Sequence, residues 1–232
     1  METGSPLLLD TVVFDFDGTL AHLNIDFGEM KRQVLALFPL FGLDPDLMED
    51  KYILEGIEAG VQSLKERGEA DSCFFEQRAE EALLSVERKA ARESYLLPGI
   101  PEALSQLKRM GLRLGIVTRN SAQAVSQLLS RDHLPYDVLL CREDVGRQRV
   151  KPNPAHLQKA LQILERKSEN TLMVGDHPLD IRVAKKVGAY SAGVLTGRHS
   201  AHDFEEEGAD LVLTSVGELP SLFDCHILEF KP

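Results

Sequence analysis

Residues 11–20 of this chain read TVVFDFDGTL. The run over residues 11–16 is rich in β-branched and aromatic residues, and acidic residues and Gly18 end it. This pattern predicts a buried strand that stops at a loop. Asp15 and Asp17 are two residues apart, a spacing that places both side chains on one face of an extended chain. The first strand is therefore expected to present two carboxylates together at its carboxyl end.

A long helical region follows this strand. Apolar residues recur at helical spacing in three runs, and no strand pattern interrupts residues 21–94. The three runs are Met30, Val34, Leu37, Phe38 and Phe41; Leu47, Leu54, Ile57, Val61 and Leu64; and Phe75, Ala79, Ala82, Leu83 and Val86. We predict that residues 21–94 form an all-helical insertion that lies above the carboxyl edge of a sheet.

Beyond residue 97, short helices and strands alternate along the chain. Strands are predicted at residues 112–118, 137–141, 171–174 and 190–194, with a further edge strand at 211–214. Such alternation implies a parallel sheet with right-handed crossovers and helices on both faces. The predicted fold is doubly wound α/β, in which residues 1–20 and 95–232 form the core and residues 21–94 form a cap domain.

Polar residues stand at the predicted carboxyl ends of the strands, where parallel sheets bind their ligands. They are Asp15, Asp17, Thr118, Arg119, Lys151, Asp176 and Asp180. Each alone is weak evidence, because a strand-end aspartate is more often a helix cap and a lysine before proline is usually solvated. Their joint occurrence at one edge favours a functional site.

The residue types in this set suit phosphoryl transfer. A carboxylate such as Asp15 can attack phosphorus and form an acyl phosphate, which splits one slow displacement into two easier steps. Asp17 can protonate the leaving oxygen and later deprotonate the attacking water. The nucleophile and the phosphate are both anionic, so cations must intervene, and Lys151 and Mg²⁺ can supply that charge. Magnesium prefers oxygen ligands, which Asp15 and Asp176 offer.

The ordered motifs DFDGTL, Thr118, Lys151 within KPNP, and GDHPLD resemble the four motifs of the haloacid dehalogenase-like superfamily. The resemblance covers nearly the whole chain. It implies that Asp15 is the nucleophile and a Mg²⁺ ligand, and that Asp17 is the general acid and base whose backbone carbonyl also binds the metal. It further implies that Asp176 binds Mg²⁺ directly and that Asp180 orients the groups around the metal.

The same resemblance implies phosphate contacts at the second and third motifs. Thr118 and Lys151 would hold the phosphoryl oxygens, and Gly18 would bring the backbone close to the phosphate. Arg119 stands where many relatives have Asn or Ser. It is a candidate substrate contact, but the resemblance implies no specific role for an arginine at this position. The LPGI stretch at residues 97–100 resembles the phosphoglycolate phosphatase-like branch, although His22 departs from its usual continuation after the first motif.

Composition excludes several other classes of protein. The formal net charge of −11 argues against a nucleic-acid-binding surface, which needs an excess of basic residues. No apolar run near the N-terminus is long enough for a signal peptide or a membrane span. Cys73, Cys141 and Cys225 are far apart and odd in number, so we expect reduced thiols in the core. We predict a cytoplasmic enzyme that acts on a small phosphorylated metabolite; its oligomeric state is left open.

Two other functions stay open on the sequence. A sugar phosphomutase of the same superfamily would return the phosphoryl group to its substrate. A phospho-acceptor signalling module also combines a strand-end Asp with Thr and Lys, although Asp17 and the large helical insertion argue against it. Outside the motifs, His177 is expected to be a solvated loop residue and residues 193–200 a plain turn.

Overall fold

The computed structural model describes residues 9–224, apart from the side chains of residues 69 and 70. Six parallel strands form the central sheet in the order β5-β4-β1-β6-β7-β8, and two short strands, β2 and β3, pair separately. The strands are β1 (Thr11–Phe14), β2 (Ala21–His22), β3 (Tyr95–Leu96), β4 (Arg113–Val117), β5 (Val138–Leu140), β6 (Thr171–Gly175), β7 (Tyr190–Val194) and β8 (Leu211–Leu213). This sheet, with its flanking helices, confirms the predicted α/β fold class.

Ten α-helices connect and cover the strands in the described part of the chain. They are α1 (Phe27–Leu35), α2 (Ile53–Lys65), α3 (Glu69–Ala90), α4 (Ile100–Arg109), α5 (Ala122–Leu129), α6 (Arg142–Val145), α7 (Ala155–Leu164), α8 (Pro178–Val187), α9 (Ala201–Glu206) and α10 (Leu219–Asp224). Short 3₁₀ helices lie at Phe38–Phe41, Pro45–Met48, Arg147–Arg149, Ser168–Asn170 and Val216–Glu218.

Strand β1 lies at the centre of the sheet. It pairs in parallel with β4 on one side and with β6 on the other, and Phe14 is in register with both Ile116 and Val174. All four residues of β1 are buried, as expected for a parallel strand covered on both faces. The chain order runs away from β1 in both directions, so a topological switch point lies at the carboxyl end of β1. The loops after β1, β4 and β6 therefore meet there.

The helical block lies between β1 and β4 in the sequence. Its buried positions agree with the predicted periodicity: Val34 on α1, Ile57 and Val61 on α2, and Phe75 and Leu83 on α3 are all buried. One continuous hydrophobic cluster joins these side chains to one face of the sheet, and α7 and α8 cover the other face. The block and the sheet therefore share buried apolar surface.

The prediction that no strand interrupts residues 21–94 was wrong at its first two positions. β2 pairs antiparallel with β3, with Ala21 opposite Leu96 and His22 opposite Tyr95. A two-residue strand is too short to produce an alternating pattern, and it forms because the chain leaves and re-enters the core at one place. This ribbon lies where the predicted cap, residues 21–94, meets the two predicted core segments, residues 1–20 and 95–232. The division into these domains stays a prediction.

The two cysteines within residues 9–224 differ in exposure. Cys141 is buried, but Cys73 is exposed on α3, so the expectation that it lies in the core was wrong. Helical periodicity places Phe75 inward, and Cys73, two residues earlier, faces outward. Cys225 lies outside the described residues. Within residues 9–224, no helix combines the length and the apolar character needed to cross a bilayer.

Candidate active site

The end of β1 places Asp15 and Asp17 in one cavity, with the fully buried Phe16 between them packed into the hydrophobic core. The backbone amide of Asp15 donates to the carbonyl of Val174 at 2.8 Å, which extends the pairing with β6 by one residue. The carboxylate of Asp17 accepts a 2.8 Å hydrogen bond from the backbone amide of Leu23. Both predicted catalytic carboxylates therefore face the same space.

Three buried or partly buried carboxylates meet at the floor of this cavity. Asp15, Asp176 and Asp180 each offer one oxygen, and these oxygens lie within 4.8 Å of one another. The ammonium group of Lys151 donates to Asp15 and, at 2.6 Å, to Oδ1 of Asp180. Burial disfavours the charge on Lys151, but the two carboxylates outweigh this effect and raise its pKa. The loops after β1 and β6 and the segment before α7 thus converge as predicted.

Asp176 shows that the floor carries more negative charge than Lys151 can balance. Burial, with the charges of Asp15 and Asp180, raises the pKa of Asp176 to about 8. A group of oxygen donors with uncompensated negative charge is the arrangement that a divalent cation stabilises. Such an ion could be held by Asp15, Asp176 and Asp180. Asp180, which was expected to orient the groups around the metal, is therefore also one of the possible donors.

Two glycines make room for Asp176. A Cβ on Gly18 would lie 2.2 Å from Oδ2 of Asp176, and a Cβ on Gly197 would lie 2.0 Å from the same oxygen. Gly18 also has a φ of +83°, which favours glycine. Gly18 was predicted as a phosphate-side residue, whereas Gly197 belongs to the 193–200 stretch expected to be a plain turn. The structure places Gly197 against a floor carboxylate.

Asp17 has the proton affinity of a group that works near neutral pH. Burial raises its pKa to about 6, the hydrogen bond from Leu23 opposes this shift, and the charge of Asp15 adds to it. A carboxyl group with this pKa can both release and accept a proton near neutrality. Asp17 is therefore suited to proton transfer in the cavity that it shares with Asp15.

The second motif contributes a fully buried hydroxyl, that of Thr118. Its Oγ1 accepts hydrogen bonds from the backbone amide of Asn120 at 3.2 Å and from the Asn120 side-chain amide at 3.0 Å. Because both contacts use the oxygen as acceptor, the hydroxyl proton is left to donate elsewhere. Asn120 was not among the predicted site residues, yet it is the residue that orients Thr118.

Comparison with known proteins decides the family. A model of the haloacid dehalogenase-like hydrolase family matches residues 12–194, which is most of the 232-residue chain. The chain belongs to this family. The resemblance drawn from the four motifs is thereby confirmed.

Relatives of this haloacid dehalogenase-like hydrolase match over nearly their whole length. Pyrophosphatase PpaX of Bacillus cereus is 30% identical over 229 residues, which covers 94% of this chain and 98% of that protein. Phosphoglycolate phosphatase of Aquifex aeolicus is 27% identical over 226 residues, with 94% and 99% covered. A solved structure of a Bacteroides fragilis protein assigned to the haloacid dehalogenase-like hydrolases superposes with a TM-score of 0.67 at 26% identity, and covers 90% of this chain and 99% of that one. The protein is therefore an enzyme of the phosphatase type.

The cavity of this hydrolase has a volume of about 730 Å³, and both the sheet edge and the helical block line it. Sequence reasoning missed several of its residues. His177, expected to be solvated, lies partly buried with its ring 5.7 Å from that of Tyr52 and 4.4 Å from that of His199. Burial and the charge of His199 lower the pKa of His177 to about 4, so its ring is neutral near neutral pH. Tyr52 and His199 carried no motif and could be found only through tertiary contacts.

Arg119 points across the mouth of the cavity toward the helical block. Its Nη2 lies 2.7 Å and 3.0 Å from the two carboxylate oxygens of Glu55 on α2. Its guanidinium carbon lies 5.3 Å from the ring centroid of Tyr52. Arg119 therefore lies beside Thr118 in sequence but makes its contacts with the opposite wall.

Proposed function

We infer that this hydrolase is a Mg²⁺-dependent phosphatase that cleaves a phosphate monoester of a small metabolite, with Asp15 as the nucleophile. The observation that carries this proposal is the meeting of Asp15, Asp176 and Asp180 within 4.8 Å at the floor of one cavity. Mg²⁺ is proposed because the donors are all carboxylate oxygens, which suit a hard cation. When bound, Mg²⁺ would offset the charge of the floor and of the transferring phosphoryl group. The relatives named as phosphatases support the same reaction class.

The first step transfers the phosphoryl group to the protein. A carboxylate oxygen of Asp15 attacks phosphorus, and the bond from phosphorus to the ester oxygen breaks. Asp17 carries a proton below its pKa of about 6, and it donates that proton to the leaving oxygen, which departs as an alcohol. The products of this step are a phosphorylated Asp15 and an ionised Asp17.

The second step restores the enzyme. The ionised Asp17 takes a proton from water as that water attacks the phosphorus of phosphorylated Asp15. The acyl phosphate bond breaks, inorganic phosphate leaves, and Asp15 is again a carboxylate. Asp17 regains its proton, so the cycle consumes one water and one ester. The partly buried, neutral His177 lies near this chemistry without adding a competing charge.

Positioning of the phosphoryl oxygens falls to Thr118, Lys151 and the backbone at Gly18. The oxygen of the Thr118 hydroxyl accepts both hydrogen bonds from Asn120, so its proton is available to a phosphoryl oxygen. The ammonium of Lys151, already between Asp15 and Asp180, adds positive charge beside the attacking oxygen. Arg119 completes the proposed set of substrate contacts. We also propose a cytoplasmic location.

The experiment is hydrolysis of a generic aryl phosphate by the purified protein with MgCl₂. We expect phosphate release by the wild type, loss of release in Asp15→Asn, and unchanged release in Asp71→Asn, an exposed control on α3. Acid quenching should trap one added phosphoryl group on a peptide that contains Asp15. Release by Asp15→Asn at the wild-type rate would refute the nucleophile assignment. Isomerisation of hexose phosphates without net release would favour a phosphomutase, and a stable phosphoprotein without turnover would favour a signalling module.

A further inference from the structure

Arg119 is held at the cavity mouth, and its hydrogen bonds with the described residues use only one of its three guanidinium nitrogens. Nη2 makes both contacts with Glu55. Within residues 9–224, Nε and Nη1 have no hydrogen-bond partner, although the side chain is only 20% exposed. A guanidinium group offers five N–H donors in a fixed plane. The face of Tyr52 supports this plane, so the remaining donors are oriented as well as available.

The cavity is also lined by cations that have no ion-pair partner within the described residues. Lys31, Lys51 and Arg198 line the cavity, and none of them forms an ion pair with another residue of the described chain. By contrast, Arg142, deeper at the boundary with the helical block, is paired with both Glu80 and Glu87. Although the chain has a net charge of −11, these three cations of the cavity lining have no ion-pair partner within residues 9–224. Cations without an ion-pair partner attract an anionic group of a ligand.

We propose that Arg119 binds a second anionic group of the substrate, on the part that is not transferred, and that Glu55 occupies this position until the substrate displaces it. The substrate class is thus a phosphate ester that also bears a carboxylate or a second phosphate. This inference rests on the proposed phosphatase function. It adds the chemical group of the substrate that the residues at the cavity mouth recognise. Arg119 is the specificity-determining residue, and Glu55 is its exchangeable counter-ion.

The exposure of Glu55 makes the exchange inexpensive. Its side chain is 34% exposed, so after displacement it can be hydrated nearby. Partly exposed ion pairs are weak, whereas a buried pair such as Arg142 with Glu87, at 4% and 2% exposure, is costly to separate. The helical block can therefore stay attached through Arg142 while Arg119 changes partners. The pair of Arg119 and Glu55 is the part of this interface suited to exchange.

Binding of phosphonates that cannot be hydrolysed tests this proposal without relying on turnover. Calorimetry with MgCl₂ would compare ω-phosphonocarboxylates with one to three methylenes against the matched methyl ketones, which have the same shape and a neutral tail. We expect the wild type to prefer an anionic tail, and Arg119→Met to lose that preference by about tenfold or more. Glu55→Gln should tighten binding of the anionic tail by about 1.5- to 5-fold and leave the ketone unchanged. Bisphosphonates of the same lengths would distinguish a second phosphate from a carboxylate.

Glu58→Gln is the matched control. Glu58 lies on the same helix and contacts Gln148 of the core, whereas Glu55 contacts Arg119. The Glu58→Gln substitution should leave the affinities for the anionic and the neutral ligands unchanged. In an Arg119→Met background, Glu55→Gln should lose its effect. The proposal is overturned if Arg119→Met weakens both ligands equally, or if Glu55→Gln changes them equally, because a contact that only joins the two walls would act on both. Loss of aryl phosphate hydrolysis with retained phosphonate selectivity would refute the proposed function alone.

Discussion

The ammonium nitrogen of Lys151 lies 2.6 Å from Oδ1 of Asp180, and both side chains are almost completely buried. Lys151 also contacts Asp15, so it is the positive group nearest to the floor carboxylates. We expect Lys151→Met to lower the free energy of unfolding by about 3 kcal/mol or more, because removal of one partner leaves buried charge uncompensated. Urea denaturation in EDTA would measure this change.

A second substitution separates this charge effect from a simple packing defect. Adding Asp180→Asn to Lys151→Met removes one of the carboxylates left without a partner, so it should restore part of the lost stability. Lys167→Met removes a lysine whose ion pair with Glu169 is highly exposed, and it should have little effect. Wild-type stability in Lys151→Met would contradict the proposed charge balance.

Gly197→Ala should impair metal binding more than folding. The added Cβ would lie 2.0 Å from Oδ2 of Asp176, so the carboxylate must move. We expect the Mg²⁺ concentration for half-maximal activity to rise by about tenfold or more, as when groups that support metal ligands are altered. Gly28→Ala, whose Cβ would meet no atom closer than 3.2 Å, is the control. An unchanged Mg²⁺ dependence in Gly197→Ala would remove Asp176 from the proposed metal site.

Asp176 should make the metal-free protein less stable as the pH rises. Its pKa is about 8 when folded and 3.8 as the reference value, so between these values the folded state holds a proton that the unfolded state releases. Stability relative to Asp176→Asn should therefore fall as the pH rises through this range, by at most about 1.4 kcal/mol per pH unit.

Addition of Mg²⁺ should make the wild type more stable relative to Asp176→Asn. At about 100 times its dissociation constant, the ion should stabilise the wild type by about 2.7 kcal/mol and Asp176→Asn by much less. Thermal unfolding in EDTA and in MgCl₂ would measure both effects. Equal stabilisation of the two proteins would place the metal elsewhere.

The burial of His156 should make the folded protein less stable as the pH falls, the opposite of the pH dependence expected from Asp176. It is fully buried on α7, its Nε2 lies 3.2 Å from the carbonyl of Leu140, and burial lowers its pKa from 6.5 to about 3. Between these pH values the unfolded chain binds a proton that the folded protein does not. Stability relative to His156→Gln should thus fall as the pH drops below about 6.5, again by at most about 1.4 kcal/mol per unit. Parallel pH curves for the two proteins would show that His156 does not titrate on unfolding.

Much of the fold and of the cavity floor could be predicted from the sequence. Alternating strands and helices specify a parallel sheet, and the carboxyl ends of such strands share one edge. Asp15, Asp17, Lys151 and Asp176 were therefore expected together, and all four line one cavity. Their roles in catalysis stay proposals. Local pattern sufficed for placement because Asp15, Asp17 and Asp176 lie within three residues of the end of a strand, and Lys151 lies four residues before α7.

The mouth of the cavity was decided only by the tertiary structure. Tyr52 and Glu55 come from the helical block, and no periodicity shows which of its polar residues will face the sheet edge. Gly197 was indistinguishable from an ordinary turn glycine until Asp176 was placed against it. The β2–β3 ribbon joins residues more than seventy positions apart through two residues each. Sequence by itself thus determined what each strand end carries, and long-range packing determined what lies opposite, because contacts between distant segments depend on how whole elements approach one another.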